Sequence, residues 1–170
     1  MQKKEESRER ILSSAGALIK EKGIAGTSVS EVMGGAGMTV GGFYAHFSSK
    51  DALVTETVSS SLCQSLEGLK AAAGDKRGAK WLKAATRSYL SRVHRDNPSA
   101  GCPLPATAGE IANADVTVRR AVAAEVDTIA AEIAAHEEEA GQARPREESL
   151  AALAMMVGGN IRGFTRTLTT

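Results

Sequence analysis

Several hydrogen-bond donors lie between residues 28 and 50 of the chain. Tyr44 offers a phenolic hydroxyl, His46 an imidazole N–H and Lys50 an ammonium. Ser28 and Thr39 add hydroxyl groups where short helices would begin, and the exposed backbone N–H groups at such positions favour phosphate. Lys50 also stands at a helix start, where a cation is unfavourable for the helix dipole, so we expect an anionic partner from outside the chain. These residue types and their spacing indicate contacts with phosphate groups; the alternative is that Tyr44 and His46 are simply a pair at the edge of the core.

Three helices are predicted to position these donors. The first covers about residues 5–22, and the second begins at a capping box formed by Ser28 and Glu31 and ends by residue 35. Gly37 supplies the turn with a residue tolerant of positive φ, and Thr39 caps a third helix over residues 39–46. Two short helices joined by a tight glycine-containing turn, after a packing helix, form a helix-turn-helix head. The apolar residues expected to pack this head are Val29, Val32, Met38, Val40, Phe43 and Phe47.

The remaining sequence predicts a body of longer helices. We therefore expect an all-α fold with two domains, a three-helix helix-turn-helix head over residues 1–50 and a helical ligand-binding and dimerisation domain over residues 51–170. The body helices are expected over residues 50–73, 76–94, 106–112, 113–139 and from Pro145 to the chain end. The fourth of these carries an apolar stripe of Val118, Val122, Val126, Ile129 and Ile133.

Composition and charge exclude several classes of protein. The net charge of +1 divides into +2 for residues 1–50 (seven Lys/Arg, five Asp/Glu) and −1 for residues 51–170 (fourteen and fifteen). This asymmetry is too small to decide for or against nucleic acid. No apolar run is long enough for a transmembrane helix and no secretory signal is seen, so we expect a cytoplasmic protein without membrane contact.

Catalytic and metal-binding chemistry is not predicted. The three histidines, His46, His94 and His136, form no metal-ligand spacing with acidic or cysteine residues, and no nucleophile is paired with a base. Two cysteines, Cys63 and Cys102, make neither a disulfide framework nor a four-ligand zinc site. We therefore expect no enzyme, no metal and no cofactor.

The segment over about residues 8–58 resembles the TetR family of transcriptional regulators. The segments that carry the resemblance are Arg10-Ile11-Leu12 through Gly23, Thr27-Ser28-Val29-Ser30-Glu31-Val32, Ala36-Gly37-Met38-Thr39 and Gly42-Phe43-Tyr44-Ala45-His46-Phe47-Ser48-Ser49-Lys50-Asp51-Ala52-Leu53. The resemblance implies a homodimeric repressor that a small-molecule effector releases from a near-palindromic operator. Two heads would then read half-sites in successive major grooves, about 34 Å apart or slightly more. The DNA-binding residues expected in each head are Ser28, Thr39, Val40, Gly42, Tyr44, His46 and Lys50.

Direct base readout is expected to be weak. No Arg, Lys, Asn or Gln lies between Thr39 and His46, so the usual bidentate contacts to guanine or adenine are missing from this helix. Thr39 and Val40 can touch thymine methyl groups, and the glycines at 41 and 42 let the backbone approach the groove floor. We therefore expect a large contribution from DNA shape.

An effector pocket in the body is the second expectation. Its predicted lining is Cys63, Trp81, Tyr89, Cys102, Met155, Met156, Asn160 and Phe164, although each of these residues can equally be ordinary core. Met155 and Met156 are the best local indication, because methionine adapts to varied shapes. Cys102 precedes a helix start, where a thiolate is stabilised, which allows an electrophile or oxidant sensor; the alternative is a buried small residue. Cys63 is expected in the core.

The dimer interface and one rival function stay open. The family uses its last two helices for dimerisation, and this chain ends where another helix would normally follow, so we expect a smaller or rearranged interface. Close helix approach is allowed by Ala151, Ala152, Ala154, Gly158 and Gly159, and the stripe over residues 118–133 is a second candidate. The rival is a helical small-molecule-binding or protein-interaction module with a degenerate head, in which Glu110 and Asn160 serve a small-molecule site.

Overall fold

The computed structural model describes residues 2–138 and 146–161, and every regular element among them is helical, as the sequence predicts. The α-helices are α1 (Gln2–Lys22), α2 (Val29–Gly35), α3 (Lys50–Ala73), α4 (Gly78–Tyr89), α5 (Arg92–Asp96), α6 (Leu104–Ala112), α7 (Val116–Glu138) and α8 (Arg146–Gly159). Two 3₁₀ helices cover Val40–Ala45 and Pro98–Ala100. Within the described ranges, no helix is both long and apolar enough to cross a membrane.

The chain forms two compact units that differ from the expected domains. The first unit contains residues 1–61 and 98–122, and the second contains residues 62–97 and 123–170. Helix α6 and the start of α7 therefore group with the head, although they lie far from it in sequence. The division of function between residues 1–50 and 51–170 stays a prediction.

The head of the first unit is built on one apolar cluster. Ile11 and Ala15 of α1 are fully buried against Val32 and Met33 of α2, as expected from their helical spacing. The other buried members are Ala36, Phe43, Phe47 and Leu53, and Val29 and Met38 are partly buried against them. Val40 is the exception among the residues expected to pack, because 47% of its surface is exposed.

Local capping signals position the helix starts as the sequence predicts. The Glu31 backbone N–H donates to the Ser28 hydroxyl at 3.2 Å, and the Ser28 N–H donates to the Glu31 carboxylate at 3.0 Å, which completes the capping box. Ser49 caps α3 by accepting from the Ala52 N–H at 3.0 Å. Gly23 and Gly37 have φ values of 80° and 68°, the left-handed region that favours glycine.

Two predicted helix boundaries and one cap are wrong. The helix expected over residues 76–94 is two helices, because the Ser91 hydroxyl accepts from the His94 N–H at 3.2 Å and starts α5. The last helix ends at Gly159, before the expected chain end; the rest of that prediction lies outside the described residues. Thr39 occupies the cap position of the 3₁₀ helix, but its side chain makes no capping hydrogen bond.

The second unit has an aromatic centre. Helix α4 buries Trp81, Ala85 and Tyr89, which recur every four residues and so share one face. The Trp81 ring stacks on His136 of α7, with ring centroids 4.2 Å apart and an angle of 16°. Ile129 and Ile133 of the predicted α7 stripe are buried as well. Because the stripe is used within the chain, its predicted second role in dimerisation is not supported.

Candidate nucleic-acid interface

Tyr44 is the most exposed aromatic side chain of the head. It presents 77% of its surface, while Phe43 beside it is 1% exposed. The two rings meet edge to face at 5.2 Å and 80°, and Phe43 in turn stacks on Phe47 at 5.8 Å. Such aromatic pairs hold one another in preferred geometries. The buried phenylalanines thus fix the 3₁₀ helix Val40–Ala45 so that the Tyr44 hydroxyl faces outward.

Thr39 and Val40 are exposed at the start of the same 3₁₀ helix. A Cβ added at Gly41 would meet nothing within 4 Å, whereas one at Gly42 would touch the Met33 and Met38 methyl groups at 3.7 and 3.9 Å. Gly41 is therefore open and Gly42 faces the core side. The exposed part of this helix presents a hydroxyl, a branched apolar group and bare backbone.

His46 and Lys50 are half-buried and partly engaged. The His46 Nδ1 atom is buried without a hydrogen-bond partner among the described residues, so Nε2 is the nitrogen that can reach a ligand. The Lys50 ammonium donates to the Ile24 carbonyl at 2.9 Å. The unfavourable Lys50 charge at the start of α3 is thus partly stabilised by a backbone carbonyl of the chain itself, in addition to the anionic partner expected from outside. An ammonium has three donors, so two more are left for an anion.

We name Thr39, Val40, Tyr44, His46 and Lys50 together the head surface. They lie within twelve residues, in the segment between α2 and α3 and at the first residue of α3. Ser28 lies at the other end of α2, where its hydroxyl is engaged with Glu31 at 2.7 Å. Its expected role at DNA therefore competes with a structural one.

Two arginines that the sequence reading missed hold the head together. Arg8 of α1 forms an ion pair with Glu56 of α3, and its guanidinium carbon lies 4.6 Å above the centre of the Phe47 ring. The bond with Glu56 raises the pKa of Arg8. Arg10 donates to the Ala36 carbonyl in the turn between α2 and the 3₁₀ helix. No spacing rule predicts these contacts, because each joins residues more than 25 positions apart.

The predicted effector residues are dispersed. Trp81, Tyr89, Met156 and Asn160 are buried in the second unit, whereas Met155 is 71% exposed. Cys102 is buried in the first unit. Phe164 lies outside the described residues. A groove of about 620 Å³ lies along α1 and α2 and is lined by Arg10, Ser14, Glu31 and Gly35 among others, so none of the predicted effector residues lines it.

One of the two cysteines differs from the prediction and the other agrees with one of its alternatives. Cys63 was expected in the core, but it is exposed and its Sγ lies 3.4 Å from the Glu125 carboxylate, to which it can donate. Partial burial and that carboxylate raise the pKa of the Cys63 thiol, which disfavours a reactive thiolate. Cys102 is buried, in agreement with the alternative of a small core residue. Burial lowers the pKa of the Lys20 ammonium, and Cys102 acts on it in the opposite direction.

The head matches a known family of regulators. Residues 11–57 match the model of the bacterial regulatory proteins of the tetR family. Over 62 residues the chain is 39% identical to the uncharacterized HTH-type transcriptional regulator YvdT of Bacillus subtilis (strain 168), a match that spans 36% of this chain and 32% of that protein.

The likeness extends to whole solved structures. A TetR transcriptional regulator from Chloroflexus aurantiacus J-10-FL superposes with a TM-score of 0.81 at 27% identity, over 100% of this chain and 89% of that one. A TetR-family regulator from Agrobacterium tumefaciens has the same fold, with a TM-score of 0.75 at 19% identity over 97% and 96% of the two chains. The head thus matches the tetR family over residues 11–57, and the whole chain has the fold of solved TetR-family regulators.

Proposed function

We propose that this protein is a transcriptional regulator that binds duplex DNA through the head surface. The observation that carries the proposal is the placement of Tyr44, which is 77% exposed on a buried pair of phenylalanines. Tyr44 is a large side chain held outward by two buried rings, and an imidazole and an ammonium follow it in the sequence. This combination suits contact with a polyanion. The match of residues 11–57 to the tetR-family model and the likeness of the fold to a solved TetR regulator support the same conclusion.

The contacts divide into positioning and readout. The Tyr44 hydroxyl, the His46 Nε2 atom and the two remaining donors of Lys50 suit phosphate oxygens, which fix register without reading sequence. Thr39 and Val40 are placed to reach base edges, where the valine methyl groups suit thymine. Because the 3₁₀ helix has no long polar side chain that faces out beside them, we expect DNA shape to supply much of the specificity.

We further propose that the regulator is a homodimeric repressor. Helix α8 exposes Ala151, Ala154 and Met155 on one face, and Gly158 follows with open space around its Cα. Ala152 is buried and a Cβ at Gly159 would approach the Leu90 side chain at 3.1 Å, so these two face the interior. An exposed apolar face of small residues suits a second copy of the same helix.

We also propose that a small-molecule effector releases the DNA and that it contacts Trp81, Tyr89, Met156 and Asn160.

Salt-dependent binding to the DNA upstream of the chain's own coding sequence tests the proposal. If each head neutralises three or four phosphates, the logarithm of the binding constant should fall with the logarithm of salt concentration with a slope of roughly −5 to −7 for a dimer. The variant Lys50→Gln should reduce that slope by about 1 per head. Lys80→Gln removes the same charge from an exposed position of α4 and should leave the salt slope unchanged.

Binding without salt dependence, or an equal effect of both lysine variants, would contradict the proposed surface. Absence of DNA binding together with binding of a small molecule or another protein would instead favour the rival reading, a helical module with a degenerate head.

A further inference from the structure

The loop of residues 23–27, which joins α1 to α2, is held by a carboxylate from a distant helix. The two oxygens of Glu110 on α6 accept hydrogen bonds from the backbone N–H groups of Ile24 at 2.8 Å and Ala25 at 2.7 Å. All three residues belong to the first unit. Charge-assisted bonds of this kind are among the stronger ones in proteins. Glu110 is thus committed to this loop and is not available for the small-molecule site that the rival reading gave it.

The packing around this contact leaves no spare room. A Cβ added at Gly23 would lie 2.7 Å from the Glu110 carboxylate and 3.4 Å from the Ala106 carbonyl of the same helix. Gly23 also has a φ of 80°, which favours glycine. Helix α6 therefore lies so close to Gly23 that a side chain there would clash with it. The Thr27 hydroxyl closes the loop by donating to the Gly23 carbonyl at 2.7 Å.

One peptide unit, between Ile24 and Ala25, connects Glu110 to the head surface. Its N–H, on Ala25, donates to the Glu110 carboxylate at 2.7 Å, and its carbonyl, on Ile24, accepts from the Lys50 ammonium at 2.9 Å. The carboxylate fixes the peptide from one side, and the peptide holds the lysine from the other. The position of Lys50 is therefore coupled to Glu110 through one rigid group.

We infer that Glu110 is a positioning residue for DNA binding, an inference that rests on the proposed function. It touches no DNA. By fixing the peptide between Ile24 and Ala25 it holds Lys50 where the ammonium reaches a phosphate, and it sets the loop from which α2 begins. When this clamp is lost, the loop and Lys50 move together, and the head surface loses its arrangement.

Electrostatics alone predicts the opposite result, which makes the inference testable. Glu110 is an acidic group in the unit that binds a polyanion, so its neutralisation should strengthen DNA binding if charge were its whole effect. The clamp predicts weaker binding, because glutamine offers only one acceptor oxygen to two N–H donors. Aspartate keeps the charge but shortens the reach, so the clamp predicts weaker binding for this variant as well.

The experiment measures affinity for the upstream duplex with the full chain and its variants. Glu110→Gln and Glu110→Asp should each weaken binding by about tenfold, at a temperature where circular dichroism shows every variant folded. Glu21→Gln is the matched control, since Glu21 is exposed on α1 and carries the same charge. This control should bind at least as tightly as the unmodified chain.

A double-mutant cycle separates positioning from a general loss of structure. If Glu110 acts through Lys50, its substitution should matter little once Lys50 has been replaced. Adding Glu110→Gln to Lys50→Gln should therefore weaken DNA binding by a factor much smaller than ten. Amide hydrogen exchange at Ile24 and Ala25 should also accelerate in Glu110→Gln and not in Glu21→Gln. If the two single effects on affinity multiply in the double variant, the inference is overturned while the proposed function stands. The same holds if Glu110→Gln binds DNA as tightly as the unmodified chain. If the unmodified chain binds no DNA, the proposed function fails and the inference fails with it.

Discussion

At the scale of single residues, the position of Tyr44 is set by its neighbour. The side chain is 77% exposed, yet its ring meets Phe43 edge to face, and Phe43 in turn stacks on Phe47. Its contribution to stability is therefore small, whereas its contribution to binding rests on the hydroxyl group.

The substitution Tyr44→Phe separates these two contributions. We expect DNA binding to weaken by about tenfold, because a hydrogen bond to a charged phosphate oxygen is worth roughly 1.5–3 kcal/mol. The salt slope should stay the same, since the hydroxyl is neutral, and the melting temperature should hardly change. Fluorescence anisotropy with a labelled duplex measures the first two quantities and circular dichroism the third. Unchanged affinity would remove Tyr44 from the interface.

Sequence reasoning identified the donors of the head but not their internal partners. Tyr44, His46 and Lys50 were found because their types and order match a known pattern. The bond that Lys50 donates to the Ile24 carbonyl and the two bonds that the Glu110 carboxylate accepts were not found, because they depend on how helices far apart in sequence pack. Cys63 was misplaced for a related reason, since its helix position fits a core face and only the packing around α3 leaves it exposed.

At the scale of elements, the start of α2 is stabilised by a charged capping box. The Lys22 ammonium, the Ser28 hydroxyl and the Ser28 N–H all bond to the Glu31 carboxylate, and they lower its pKa from 4.5 to about 2. The folded chain thus binds this proton less readily than the unfolded chain does. The stabilisation is complete above pH 4.5 and is lost as the pH falls from about 4.5 toward 2.

The variant Glu31→Gln tests this pH dependence. The unmodified chain should have the higher free energy of unfolding at pH 6, and the difference between the two proteins should shrink as the pH is lowered through 4.5. Urea unfolding at a series of pH values provides the measurement. Glu21→Gln, at an exposed position of α1, serves as the matched control for the removal of one acidic group. A constant difference for Glu31→Gln would mean that the box does not depend on the charge of the carboxylate.

Elements were predicted well where the signal is local. The capping box at Ser28 and the turn at Gly37 act within a few residues, and the structure has them as expected. The single helix predicted over residues 76–94 was wrong because Ser91 can either continue a helix or start one, and helical periodicity does not distinguish the two. The cap expected from Thr39 fails because the next turn is a 3₁₀ helix.

At the scale of the whole molecule, dimerisation through α8 is the proposal most open to test. Met155 is 71% exposed beside Ala151 and Ala154, so Met155→Glu would place a charge in the proposed interface. We expect the dimer dissociation constant to rise by about thirtyfold or more, as measured by sedimentation. Val93→Glu, at an 80% exposed position of α5, should leave the dimer intact. Equal behaviour of the two variants would exclude this face of α8.

Hydrogen exchange of the chain with and without the upstream duplex shows which residues contact DNA. We expect DNA to slow amide exchange over residues 39–50, with little change in α4 (Gly78–Tyr89). The opposite pattern, unchanged exchange over residues 39–50 with protection confined to other segments, would contradict this expectation.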